Sequence, residues 1–223
     1  MSSFILKILA MIFMICDHSA KSILTGATPL YLVGVCSFPI FAFQIVQGYI
    51  NTSNLKNYIK RLFTFALVSQ IPFMLFLSTF TNNIFRLNIF FTLILGLLAL
   101  YFYSLKINNF LKFFIILFLI FIASYFRVDY GAWGVTLILM FYIFRENKIL
   151  LGLLYVILCI IKYINILILH FNIFFFGLFA FTISALIAIL LYNGKKGKHL
   201  PTFFYMFYPI HLLVIYLIHV IIN

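Results

Sequence analysis

The chain has 223 residues, of which 66% are hydrophobic and only 8% charged, with a net charge of +12. A soluble globular domain carries about 25% charged residues, so this chain cannot cover a water-facing surface, and its apolar content excludes disorder as well. What remains is a polytopic membrane protein, in keeping with a mean hydropathy of +1.24. Asp17, Asp129 and Glu146 are the three acidic residues, which leaves little from which to build a two-carboxylate glycosidase or a carboxylate-rich metal cage.

A spanning helix needs about 20 mostly apolar residues. In chain order the sequence predicts nine spans, at 4–24, 30–50, 58–79, 87–106, 109–126, 130–145, 148–165, 171–193 and 202–222, forming one all-α transmembrane domain over 1–223. At the start, Lys7 precedes an apolar run and His18-Ser19-Ala20 has the look of a signal-peptide cleavage site. The run begins at Phe4, ahead of the charge, and further spans follow at once, so an uncleaved first span is expected.

Ionisable groups within a span cost at least roughly 2.5–3.5 kcal/mol near the helix centre, which makes them functional candidates. The first span carries Asp17 and His18. From a start near residue 4, His18 lies ~21 Å along the helix, in its outer half. Asp17 and Lys21 are four apart and are expected to pair. His18 points about 100° away from Asp17, so on a regular helix the carboxylate is not expected to orient it.

The second span has Gln44 and Gln47 in its inner half, Ser69-Gln70-Ile71-Pro72 interrupts the third, and Asn88 and Thr92 open the fourth. Between the fifth and sixth, the turn Arg127-Val-Asp129-Tyr-Gly131 offers Asp129 to a cation such as His18 or Lys21. The last span holds Tyr208, Pro209 and His211; Tyr208 shares a face with His211, and Pro209 frees a carbonyl and permits a kink. His170, His199 and His219 read as interfacial. Each of these polar groups also has a plain reading as a hydrogen bond between helices. Cys16, Cys36 and Cys159 lie in apolar runs with no CxxC spacing, so neither a disulfide nor a zinc framework is expected.

Nine spans divide the 15 Lys and Arg unevenly: eleven fall on one set of alternate loops, and Lys21, Arg86, Arg127 and Lys162 on the other. The positive-inside rule then places the N-terminus in the cytoplasm and the C-terminus outside; the high Ile, Phe, Asn and Lys content points to an AT-rich bacterial genome, and so to a bacterial inner membrane. Basic residues spread between apolar runs provide no patch for nucleic acid. The chain contains no GxSxG, HExxH, Walker or GxGxxG sequence.

Seven stretches, in this order and spacing, resemble the TraX family, whose founding member acetylates the N-terminus of conjugative pilin. They are Leu6 to His18, Phe38 to Phe43, Asn51 to Arg61, Ser69 to Pro72, Asn88 to Gly96, Asp129 to Gly134 and Tyr208 to His211. Two positions depart from the family pattern: Val35 follows Gly34 where members often carry Arg, and Gln47 stands where they often carry Glu. The resemblance implies transfer of an acetyl group from cytosolic acetyl-CoA, as co-substrate, to an amine acceptor such as the N-terminus of a pilin or small membrane peptide. It extends to membrane-embedded acyltransferases in which the pantetheine arm threads into the bundle and the acceptor arrives from the far side.

On that reading Lys60, Arg61, Arg145 and Lys148, at the inner span ends, are the expected phosphate contacts. His18 is the expected general base, with His211 second. Asp17 or Asp129 would steady the imidazolium, and Tyr208, Asn88 or Gln70 would donate to the oxyanion. No metal is required. The competing expectations are a small-solute transporter or substrate-binding membrane component, with Pro72 and Pro209 breaking helices around a site, and an assembly partner whose buried polar groups only join helices.

Overall fold

A computed structural model describes residues 1–169, 172–198 and 200–223. Among them are ten helices: α1 (Ser3–Ser22), α2 (Thr28–Gly34), α3 (Ser37–Asn51), α4 (Leu55–Ser78), α5 (Ile89–Ser104), α6 (Asn109–Tyr125), α7 (Gly131–Ile143), α8 (Lys148–Leu169), α9 (Ile173–Leu190) and α10 (Pro201–Ile222). The asparagines that punctuate the loops start several of them. Asn54, Asn88, Asn108 and Asn172 each accept a backbone N–H with the side chain, which satisfies a donor that the first turn otherwise leaves open.

Each of the nine expected spans finds a helix, with two differences. The second is broken at Val35 and Cys36 into α2 and α3, which together form a 24-residue span. Six spans are long and apolar enough to cross a membrane, while α5, α6 and α7 are shorter apolar helices. The 16 residues of α5 and 13 of α7 reach about 24 and 20 Å, short of a hydrocarbon core about 30 Å thick.

The missing length lies at one end, where backbone that is not helical is satisfied inside the protein. Asp129 N donates to Leu87 O at 2.8 Å, Thr92 Oγ1 donates to Asp129 O, and Gln70 Nε2 donates to Arg86 O at 2.7 Å. Irregular backbone at membrane depth is tolerated only where protein or a cavity supplies such partners.

Loops that the charge count assigns to one side do meet. At the basic end, Ser3 N and Phe4 N donate to Lys195 O and Lys196 O at 2.8 and 3.1 Å, and Tyr49 hydrogen-bonds Ser104. At the opposite end, Arg86 meets Asp129 at 3.4 Å, and His219 Nδ1 lies 2.8 Å from Ser22 O. Successive spans therefore alternate in direction.

Helix α1 packs on α2, α3 and α10, with Leu6, Ala10, Met14, Asp17 and His18 buried. Gly34 lets α2 lie directly against it. A Cβ there would stand 2.5 Å from Asp17 Cα, a clash no other residue avoids. At the other extreme α6 buries only Leu119 and Ala123 and turns Phe110, Phe113, Phe114, Phe118 and Phe121 outward. Lipid tails are as apolar as these rings, so shape, small residues and hydrogen bonds decide which helices associate.

Candidate functional site

Three layers of polar side chains follow one another from the basic end of the bundle to the opposite one. The first is a cavity of about 290 Å³ near the basic end, lined by α1, α3, α4, α5, α10 and the segment before α10. Lys7, Arg61, Lys196 and Lys198 line it, and no carboxylate does. Lys7 Nζ stands 5.2 Å from the centre of the Phe204 ring and the Arg61 guanidinium 5.8 Å from that of Tyr58. Gln44 also lines the cavity. Its Oε1 accepts the Ser3 hydroxyl, while its Nε2 is buried with no hydrogen-bond partner. A buried donor left open costs about 1–3 kcal/mol, which an incoming acceptor would recover. Met14, Ile89, Phe90, Leu93 and Tyr208 are among its other wall residues.

The second layer begins one helical turn beyond Met14 and Tyr208, where α1 and α10 bring two histidines together. His18 Nδ1 and His211 Nε2 are 2.8 Å apart, with the rings 7° from parallel. His211 Nδ1 lies 2.9 Å from Phe207 O, one turn back on α10. Pro209 sits within that turn and, lacking an N–H, loosens the helix there. Phe76 of α4 and Phe207 cover the two imidazoles at 4.6 and 4.7 Å between ring centres.

The Asp17 carboxylate closes this layer. Its Oδ2 accepts from Lys21 Nζ at 2.6 Å and lies 3.7 Å from His18 Nε2. The pairing with Lys21 is the one expected from spacing. In keeping with the expectation that Asp17 does not orient His18, the carboxylate makes no hydrogen bond to the ring, although it lies close to it. An angle of 100° separates the two Cα–Cβ bonds, but the side-chain tips converge.

The third layer lies at the opposite end. Asp129 pairs with Arg86 at 3.4 Å, not with His18 or Lys21 as expected, because the backbone pairing of Leu87 with Val128 brings Arg86 alongside. Gln70 and Asn88 meet here too. Gln70 Oε1 accepts from Asn88 Nδ2 at 2.9 Å, and Asn88 Nδ2 also donates to Ala66 O at 2.7 Å. With Gln70 Nε2 on Arg86 O, both side chains spend their donors on protein. Tyr208 differs, since it is part of the cavity wall.

Of the four expected phosphate contacts, Arg61 lines the cavity. Lys60 and Lys148 are exposed, and Arg145 pairs with Glu146 at 3.0 Å beside a second hollow formed with Tyr49, Tyr101 and Ser104. Lys7, Lys196 and Lys198 are the cavity cations that sequence reasoning missed, having read them only as topology determinants. A signal existed for Lys7. Lys7, Met14 and His18 are spaced by seven and four, one face of a helix, as are Phe204, Tyr208 and His211 of α10, spaced by four and three. His219 joins the end of α10 to α1, whereas His170 and His199 lie outside the described residues.

The model of the TraX protein family matches residues 2–219. A protein of Dichelobacter nodosus described as "Probable fimbrial assembly protein FimC, serogroup H1" is 31% identical over a 235-residue alignment, which covers 95% of this chain and 93% of the relative. No solved structure matches the chain significantly.

Proposed function

The chain belongs to the TraX family, and from that membership we propose that it is a membrane-embedded acetyltransferase, moving an acetyl group from acetyl-CoA to the N-terminal amine of a pilin or small membrane peptide. The observation that carries the proposal is the cavity: four cations with no carboxylate among them, in a space that ends one turn short of a buried histidine pair. The phosphates of CoA suit Lys7, Arg61, Lys196 and Lys198. The amide carbonyls of its pantetheine arm suit the open Nε2 of Gln44. The basic end is then the cytoplasmic face of the inner membrane, as the positive-inside rule requires. The description of the Dichelobacter nodosus relative as a fimbrial assembly protein supports a pilin-like acceptor.

The chemistry needs one base. The acceptor ammonium gives a proton to His18, and the freed amine attacks the thioester carbonyl. The C–N bond forms, the C–S bond breaks, and the thiolate takes the proton back from the imidazolium while the amide nitrogen sheds its second proton to water. Asp17 faces the imidazolium and stabilises it electrostatically. Tyr208, at the cavity floor beside the Ile89 N–H, is the side chain best placed to donate to the oxyanion.

The test uses the full chain in lipid nanodiscs with labelled acetyl-CoA and a membrane-anchored peptide bearing a free N-terminus. Mass spectrometry of the peptide should find acetylation at the α-amine, and calorimetry should find CoA affinity that falls as salt rises. Absence of both CoA binding and acetyl transfer would overturn the reading and return the cavity to a small-solute transporter.

A further inference from the structure

We propose that His211 is not an alternative base but the positioning residue that fixes the tautomer of His18, so that His18 Nε2 is the nitrogen that takes the acceptor proton. The inference follows from which atoms can donate. The Phe207 carbonyl only accepts, so His211 Nδ1, at 2.9 Å, carries the hydrogen. A neutral imidazole has one N–H, which leaves the lone pair of His211 on Nε2. That lone pair faces His18 Nδ1 at 2.8 Å, so His18 Nδ1 is the donor. The remaining nitrogen, His18 Nε2, is therefore bare.

The opposite tautomer of His18 would set two lone pairs against each other across 2.8 Å. A carbonyl of α10 thus dictates, through His211, the protonation of a side chain on α1. This is the usual logic by which the partner of one ring nitrogen selects the state of the other.

The geometry around His18 Nε2 suits the role. Asp17 Oδ2 stands 3.7 Å away and is held by Lys21 at 2.6 Å. At rest the carboxylate is neutralised by Lys21 and makes no close hydrogen bond to the ring. Once Nε2 gains a proton, its new N–H faces that carboxylate, while the Nδ1–H bond to His211 is unchanged. Proton uptake then needs no rearrangement of the pair. The two histidines, 193 residues apart in sequence, act in series rather than as competitors. The catalytic half of this inference rests on the acetyltransferase reading; the tautomer half does not.

The experiment has two arms, both on the full chain. In the first, histidine is labelled with 15N and long-range 1H–15N correlation spectra are recorded in nanodiscs near neutral pH, with His18→Gln and His211→Gln used for assignment. Both His18 and His211 should show a protonated Nδ1 and an unprotonated Nε2. A protonated Nε2 on neutral His18 overturns the proposal whether or not the protein acetylates anything.

The second arm compares His211→Leu, which offers no acceptor, with His211→Gln, whose Oε1 can accept from His18 Nδ1. His211→Leu should lose roughly 10²–10⁴-fold in acetyl transfer, the usual worth of a correctly protonated base, with CoA affinity retained and His18 shifted toward the Nε2–H form. His211→Gln should restore at least about a tenth of wild-type activity, within the range of a positioning role. Equal loss in both variants would make His211 a proton carrier, and near-normal activity of His211→Leu would remove it from the reaction. Either outcome overturns the proposal. If the wild-type chain transfers no acetyl group, the acetyltransferase reading fails and the spectra still decide the tautomer.

Discussion

At the basic end, Lys7, Arg61, Lys196 and Lys198 face a cavity without a carboxylate, and Gln44 keeps a buried Nε2 with no partner. At the opposite end, Lys21 and Arg86 each sit on an aspartate, Gln70 donates to a backbone carbonyl, and Asn88 donates to another and to Gln70 Oε1. The residue types are similar; what differs is who satisfies them. A polar group paid for by the protein itself fixes helices in place, because leaving it open in lipid is costly. A polar group left open inside the bundle carries that cost until something else meets it. The histidine pair lies between the two regimes, satisfied on three nitrogens and open on the fourth.

The comparison is broken most severely at that open nitrogen. His18→Ala should lower acetyl transfer by roughly 10²–10⁴-fold, with CoA affinity largely kept; near-normal acetylation by mass spectrometry would make His18 a structural residue. At the basic end, replacing Lys7, Arg61, Lys196 and Lys198 together by Gln should weaken CoA binding at least tenfold, or about 1.4 kcal/mol, and flatten its dependence on salt. Calorimetry measures both, and an unchanged isotherm would return these charges to topology alone.

At the satisfied end the expected losses are of stability. Asn88→Ala leaves Gln70 Oε1 and Ala66 O without that donor and should cost about 1–3 kcal/mol, read as a lower unfolding midpoint in detergent. Gly34→Ala drives a methyl into Asp17 and should cost a similar 1–3 kcal/mol by overpacking, while spreading α1 from α2 beside the histidine layer. The smallest effect is expected at Arg145, whose partner Glu146 is exposed. Arg145→Gln should change stability by no more than about 0–1 kcal/mol and leave CoA affinity within about twofold. A large loss of CoA affinity there would move the phosphate contacts to the second hollow.

Much of the fold was legible. Every apolar run became a helix, and asparagines between runs became caps at α4, α5, α6 and α9. The break at Val35 and Cys36 was not, since both residues are ordinary in a spanning helix. Nor was the shortness of α5, whose outer end is replaced by backbone that other side chains satisfy, whereas the expected span 130–145 was already short for a crossing. In the site, His18, His211, Asp17 and Tyr208 stood out as polar groups in apolar runs. Their arrangement did not, because contact between α1 and α10 joins opposite ends of the chain. Asp129 was assigned the wrong cation for the same reason: its neighbour is set by the pairing of two loops.

Lipid explains where sequence stopped. A bilayer offers no water to backbone groups, so each crossing is written as an apolar run of roughly fixed length, and irregular backbone survives only where the protein satisfies it. Class, number of segments and alternation of sides follow from it. Which face of each helix meets which neighbour is a different question. In water, burial separates apolar faces from polar ones and leaves a period to read. Here the outer surface is as apolar as the core, as the exposed phenylalanines of α6 and the buried ones of α3 and α4 illustrate. With that contrast gone, the cavity, the histidine pair and its bare nitrogen were decided only when α1, α3, α4, α5 and α10 came together.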